Sequence, residues 1–419
     1  MLFLQNMNAE YKQQTDILVI GAGPSGTVAA SILNKKGYKV KIVEKQKFPR
    51  FVIGESLLPR CMENLEKAGF IEAINQAGFQ KKFGAIFQHD YNVCSFDFSI
   101  QFTKGWSWTW QVQRAKFDHL LAQEVEKNGV EVEYESAITD IAFDESGHST
   151  ATIKRKDGSD YQIEARYVVD GSGWGRVLPR LLDLDKPSEF PPRSSIFCHV
   201  KPKQVAGSDE RKQIIIIVYT DDVWGWVIPF ADGTSSIGIV GDIEGVNQFK
   251  GSPEEQMQQW IAEIPALRDR FTDCELIFEP KNITGYASAV KKHYGKNFVL
   301  TGNSAEFVDP IFSSGVTFAT ESAALAAELI DKELRGENVN WDEDYSAYIQ
   351  RGVDVFKSFI KHWYDGSLQK IFFNEQPDSI IKNQICSILA GYVWDQKNPF
   401  VRKHKRAIPA LAAVLAQQE

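Results

Sequence analysis

Apolar and polar positions along this chain follow two periods, and the change from one to the other marks out its parts. Asp16-Ile17-Leu18-Val19-Ile20 is a short unbroken apolar run, the pattern of a strand buried on both faces. It leads into Gly21-Ala22-Gly23-Pro24-Ser25-Gly26 and an alanine-rich segment, Thr27–Lys36, that predicts a helix. Gly37-Tyr38 then turns the chain into a second apolar strand, Val40–Val43, closed by Glu44. Between Phe87 and Trp110 the residues alternate and are rich in aromatics, notably Trp106-Ser107-Trp108-Thr109-Trp110. From Ile196 to about Tyr286 strands dominate again, including Ile214–Tyr219, Trp224–Pro229 and Ser235–Val240, with one helix, Ser252–Ile264, to cover them. Past Asn340 the spacing turns helical over Trp341–Ile360, Trp363-Tyr364 and Ile380–Ala390. The fold class expected is α/β with an α+β second layer: a three-layer Rossmann-like domain, an antiparallel-sheet domain stacked on it, and carboxy-terminal helices.

Length and charge narrow the picture. A chain of 419 residues holds more than one small core. Its net charge of −8 argues against a nucleic-acid partner, which calls for a basic face. No apolar run reaches the roughly 18–20 residues of a membrane span, and the amino-terminal lead lacks the pattern of a signal peptide, so a cytoplasmic location is expected. The five cysteines, Cys61, Cys94, Cys198, Cys274 and Cys386, are scattered without C-x-x-C or Cys/His spacing, which predicts reduced buried thiols and no metal site. Lys403-His404-Lys405-Arg406 is a short basic run, either solvated surface or a contact for a carrier protein.

The glycine segment is G-x-G-x-x-G between a strand and a helix, with an acid ending the next strand. Gly21 permits the tight turn, Gly23 lets backbone approach a pyrophosphate, and Gly26 lets helix pack on strand; Pro24 and Ser25 open the helix whose amino terminus draws the phosphates. Glu44, with Lys45 beside it, is placed to meet the ribose of a dinucleotide. In Trp224-Gly225-Trp226-Val227-Ile228-Pro229 the two indoles are two residues apart and share one face of a strand that Pro229 ends. Core packing and the lining of a site are both open to them.

Two later segments repeat the strand-and-glycine-turn theme: Val168-Val169-Asp170-Gly171-Ser172-Gly173, and Phe298–Ala305 with Gly302 and Asn303, followed by Asp309-Pro310 and Phe312-Ser313-Ser314-Gly315-Val316. Together with Phe48-Pro49-Arg50-Phe51-Val52-Ile53-Gly54-Glu55-Ser56-Leu57-Leu58-Pro59, the stretch Lys81-Lys82-Phe83-Gly84, and the W-x-W-x-I-P string, they resemble the flavin-dependent halogenases of phenols and pyrroles. That family lies within the wider group of FAD-dependent aromatic hydroxylases and geranylgeranyl reductases. The resemblance implies FAD, held by Gly21, Gly23, Pro24, Ser25, Gly26, Glu44, Lys45, Arg50, Ser56, Arg114, Asp170, Gly171, Gly302, Asn303, Asp309, Pro310, Ser314, Gly315 and Val316; Asn303 stands where the family usually has Asp. It further implies that a separate reductase supplies reduced flavin, and that a flavin hydroperoxide oxidises chloride or bromide held near Ser314 and Gly315. Hypohalous acid would then pass along a tunnel walled by Trp224, Trp226, Pro229 and Phe312 to a catalytic lysine. The K-x-G register makes that lysine Lys82, with Lys81 next to it as the alternative. The expected substrate is a small electron-rich aromatic, free or carrier-tethered. A monooxygenase or geranylgeranyl-reductase-like enzyme without halide, and a flavin-binding protein without turnover, are the competing readings. The parts expected are FAD-binding segments at 1–87, 113–190 and 291–335, sheet segments at 88–112 and 191–290, and a helical region at 336–419 closing over the substrate mouth.

Overall fold

The computed structural model describes residues 13–202, 213–375 and 378–417; the amino-terminal lead lies outside the described residues. Strand β1 (Gln13–Ile20) pairs in parallel with β2 (Val40–Val43) on one side and with β3 (Asp160–Asp170) on the other. Glu131–Glu133 and Phe298–Leu300 extend the parallel sheet at its two ends. This is the sheet expected from the apolar runs: Ile17, Leu18 and Val19 have no exposed surface. Helix α1 (Pro24–Lys35) starts three residues earlier than the alanine-rich segment alone suggests. Pro24 sits in its first turn, where the missing N–H costs nothing, so the glycine motif itself supplies the helix start. A long helix, α2 (Gly315–Leu334), packs against α1 through small residues.

The second sheet contains β4 (Arg193–Lys201), β5 (Ile214–Val218), β6 (Trp224–Pro229) and β7 (Ser235–Asp242), in the spatial order β4-β7-β6-β5. It departs from the expected antiparallel pattern at one seam, where β5 lies parallel to Gly84–His89. That strand also corrects the expected boundary at residue 87, which falls inside it: Gly84 already belongs to this sheet. Strand alternation divides the sheet cleanly. Ile196, Cys198, Ile215, Ile217, Val227, Ile237 and Ile239 face a core roofed by the helix Pro253–Glu263, whose start is fixed by a Ser252–Glu255 capping box. Phe197, Ile214, Ile216, Trp224, Trp226 and Ile228 face the other way, toward the first domain.

The carboxy-terminal helices, among them α3 (Tyr348–Tyr364), join the core of the first domain. All five cysteines are buried and unbridged.

Candidate active site

Between the two sheets lies a cavity of about 590 Å³, within the size range of small-molecule and cofactor sites. At one end its wall is the glycine turn after β1, and at the other the indoles of β6.

The turn is built from backbone packed on backbone. A Cβ on Gly26 would stand 1.9 Å from the Gly21 carbonyl oxygen, and one on Gly21, where φ is +91°, would meet the Gly171 carbonyl at 2.9 Å. Gly23 and Gly315 differ: a Cβ there would meet nothing nearer than Arg50 at 3.5 Å and Asn303 at 4.0 Å. The protein's own packing does not require those two glycines. The room they leave lies on the cavity side, as it must where backbone approaches a ligand. This open cradle fits the phosphates and ring of a flavin dinucleotide.

Around it, the Glu44 carboxylate accepts the Ala22 N–H at 2.8 Å and the Gln46 N–H at 2.9 Å, and so is fixed at the cavity edge. Ser25 Oγ donates to Thr301 Oγ1 at 2.7 Å, tying the first glycine turn to the third segment. Arg114 is clamped in two-pronged fashion by Asp118 (2.7 and 2.9 Å), which also takes Arg50 at 2.8 Å. The fully buried Asp118 therefore aims both guanidinium groups at the cavity wall. The sequence reading missed it, although an Arg and an Asp four residues apart on one helix carried the signal.

Of the residues expected to hold cofactor, Gly21, Gly23, Pro24, Ser25, Glu44, Lys45, Arg50, Ser56, Arg114, Gly171, Asn303, Pro310, Ser314, Gly315 and Val316 line the cavity. Four do not. Gly26 and Gly302 are packed against backbone, the latter with Ala319 at 3.1 Å. Asp170 is turned inward to accept the Ser172 and Leu178 N–H groups, and burial pushes its carboxyl above the usual range. Asp309 accepts the Ile311 N–H and the Tyr364 hydroxyl. Its carboxyl too is raised by burial.

Trp224 and Trp226 both line the cavity, from the shared face that their spacing predicts. Each indole N–H is satisfied, Trp224 by Tyr364 Oη and Trp226 by Ser236 Oγ, both at 3.0 Å. The other two expected tunnel residues stand behind the wall. Pro229 ends the strand, and Phe312 is packed among Phe356, Phe359 and Trp363. The carboxy-terminal helices likewise back the wall instead of covering the mouth, since no described residue beyond Ala319 lines the cavity. The Trp106–Trp108–Trp110 ladder is an edge-to-face aromatic stack off the cavity.

Lys82 is one of the largest fully buried side chains, whereas Lys81 is exposed and lies over the Trp108 ring. Lys82 is not itself on the cavity wall. Its Nζ donates to Ser56 Oγ and the Leu57 carbonyl, each at 2.9 Å, and Ser56 is on the wall. Burial lowers its pKa to about 7.

Three cavity-lining side chains missed in the sequence carry buried polar atoms without partners: Glu55 Oε2, Ser195 Oγ and Tyr286 Oη. The other carboxylate oxygen of Glu55 is 2.8 Å from His199 Nε2, inside a cage of Phe51, Phe230 and Phe278. Such orphaned groups suit a polar ligand in the cavity.

Residues 14–348 match the FAD binding domain family. The chain is 27% identical over 396 residues to a 1H-pyrrole-2-carbonyl-[peptidyl-carrier protein] brominase of Pseudoalteromonas luteoviolacea, covering 92% of this chain and 94% of that one. It is 29% identical to the corresponding chlorinase of Pseudomonas fluorescens over 96% of this chain and 94% of that one. The crystal structure of a flavoprotein/dehydrogenase from Cytophaga hutchinsonii superposes with a TM-score of 0.95 at 51% identity, covering 97% of this chain and all of that one. No helix among the described residues is long and apolar enough to cross a membrane. With the open glycine cradle and the match across most of its length, the chain belongs to the FAD binding domain family and is a flavin-dependent oxidoreductase related to the halogenases.

Proposed function

We propose that this protein is a halogenase of an electron-rich aromatic, phenol or pyrrole in type. The observation that carries the reading is the buried Lys82, whose ammonium reaches the cavity wall through Ser56 Oγ. FAD, reduced by a separate flavin reductase, would supply the electrons that turn dioxygen into an oxidant for halide. The chain's own groups do the rest. Trp224 and Trp226 keep a bulky substrate away from the flavin end of the cavity. The first N–H groups of α2, at Gly315 and Val316, receive no side-chain cap and face the cavity, so they suit a chloride or bromide ion. Lys82, with a pKa of about 7, is available in both forms near neutrality. Its ammonium can hold hypohalous acid by a hydrogen bond, and its free amine can take the halogen from that acid, the N–halogen bond forming as the O–halogen bond breaks and water leaves. Ser56, which accepts the ammonium's hydrogen bond and lines the cavity, relays the first. The partially paired Glu55 and the free Ser195 and Tyr286 hydroxyls would receive the substrate's polar groups.

Purified protein with FAD, a reductase with NADH, bromide or chloride, and a panel of phenols and pyrroles, free and carrier-tethered, should yield halogenated product by mass spectrometry. The Lys82→Ala variant should bind FAD and consume oxygen yet give no halogenated product. Unchanged halogenation in that variant would remove Lys82 from the mechanism. The likeness to a flavoprotein/dehydrogenase favours a second reading, a halide-independent oxidoreductase. Substrate-stimulated oxidation of NADPH without added reductase, and product without halide, would decide for it.

A further inference from the structure

Past Glu44 the cofactor cavity continues into a second, shallower cleft of about 550 Å³, and the two share Lys45, Gln46, Arg50 and Ala137. One wall is the loop after β2 and the other the hairpin that ends at Arg155. The cleft is lined by Lys45, Lys47, Arg50, Lys154, Arg155 and Lys156, with Glu135 as its single acid. Arg50 is paired with Asp118, Arg155 with Glu133 and Lys156 with Glu135. Lys45, Lys47 and Lys154 are exposed and make no ion pair within 4 Å among the described residues, although Glu135, already paired with Lys156, also lies in the field of Lys47. Folding has thus gathered unpaired positive charge at the outer end of one cavity, on a chain whose net charge is −8.

FAD carries two phosphate charges, and this chain as a whole repels them. The repulsion acts over distance and is cut off by salt beyond the Debye length, about 10 Å at 0.1 M. Inside that range the nearest charges decide, and in a low-dielectric cleft they focus the field. We propose that this basic cleft is the entrance for FAD, an electrostatic funnel that draws the dinucleotide past Lys47 and Lys154 into the glycine cradle. It does not depend on what the bound flavin later does, and so stands or falls apart from the halogenase reading.

The two charge effects predict opposite responses to salt. Steering by net charge makes association of FAD faster as salt rises, whereas steering by the cleft makes it slower. Stopped-flow quenching of tryptophan fluorescence by FAD, from about 0.02 to 0.3 M salt, should show the association rate of the unaltered protein falling. In Lys47→Glu/Lys154→Glu the rate should drop about tenfold at the lowest salt, converge at the highest, and leave the dissociation rate unchanged. Lys403→Glu/Lys405→Glu changes the net charge by the same amount, on the exposed carboxy-terminal basic run, and should leave association as it was. The proposal is overturned if association speeds up with salt, if both double variants slow it equally, or if only dissociation responds. It is overturned too if binding of free FAD is unaffected while transfer from a flavin reductase is impaired, which would make the cleft a protein-docking surface.

Discussion

At the scale of single residues, Lys82 is held at a cost to the fold. Its ammonium has two neutral acceptors, Ser56 Oγ and the Leu57 carbonyl, and no carboxylate pairs with it among the described residues. Folding takes its pKa from an ordinary 10.5 to about 7. Between those values the unfolded chain binds the proton that the folded chain has lost, so stability rises with pH across this window. Below pH 7 both states are charged and the whole penalty is present, at ~1.4 kcal/mol per pH unit, or roughly 5 kcal/mol in all. Methionine keeps the length of the side chain and removes the charge, while giving up two hydrogen bonds worth about 1 kcal/mol each. FAD-free Lys82→Met should therefore be more stable than the unaltered protein at pH 6, by about 3 kcal/mol in urea unfolding. Its advantage should shrink above pH 7, vanish near about pH 9 and turn into a small disadvantage beyond, where only the two lost hydrogen bonds count. A variant less stable at every pH would show that the ammonium is better solvated than its burial implies. A residue kept at such cost is better explained by chemistry than by packing, whereas Lys81 is simply exposed.

Among the elements, the turn from β1 into α1 holds two glycines of one motif for different reasons. Gly26 exists for the fold, because any Cβ would overlap the Gly21 carbonyl at 1.9 Å, backbone against backbone. Gly23 exists for the ligand, because its Cβ would meet only an Arg50 guanidinium at 3.5 Å. Gly26→Ala should unfold several degrees lower even without FAD, as expected for overpacking of about 1–3 kcal/mol. Gly23→Ala should melt within a degree or two of the unaltered apoprotein while FAD affinity, measured by flavin fluorescence, falls about tenfold or more, ~1.4 kcal/mol. Equal losses of both properties in both variants would contradict this division. The contrast also explains how much of the molecule was legible beforehand. Short-range patterns were readable: the apolar run of β1, the glycine spacing, the same-face indoles of β6, the capped helix Pro253–Glu263. Pairings distant in sequence were not. Nothing local links Glu55 to His199, 144 residues on, or β5 to Gly84–His89. Motif reading also assigned Asp170 and Asp309 to the ligand, when their carboxylates hold the turns that present neighbouring backbone. A ligand-binding acid and a structural cap have the same signature in sequence, and only the direction of the side chain separates them.

Across the whole molecule, the parts meet at one hydroxyl. Tyr364, at the end of α3, donates to Asp309 Oδ2 at 2.8 Å and accepts the Trp224 indole N–H at 3.0 Å. The Arg193 guanidinium of β4 lies 3.4 Å over its ring. The loop that bears Pro310 and Ser314, the indole wall and the carboxy-terminal helices are thus joined by side chains, which gives those helices a function without their lining the cavity. Tyr364→Phe removes the hydroxyl alone and strands two buried groups. An unpartnered buried donor or acceptor costs about 1–3 kcal/mol, and more when it is charged. The charged case depends on pH, because the Asp309 carboxyl is already raised by burial and loses its Tyr364 donor. Protonated, the carboxyl does without that donor; ionised, it needs it. The loss of stability in Tyr364→Phe should therefore start at about 1 kcal/mol at low pH, where only the Trp224 N–H is stranded, and grow to about 2–3 kcal/mol as Asp309 ionises. Trp224→Phe removes the other end of the chain of bonds. If Tyr364 is where the parts are coupled, the double variant should lose less than the two single losses added, by at least ~0.5 kcal/mol. Strict additivity would mean that the helices and the indole wall are merely adjacent, each held by its own core.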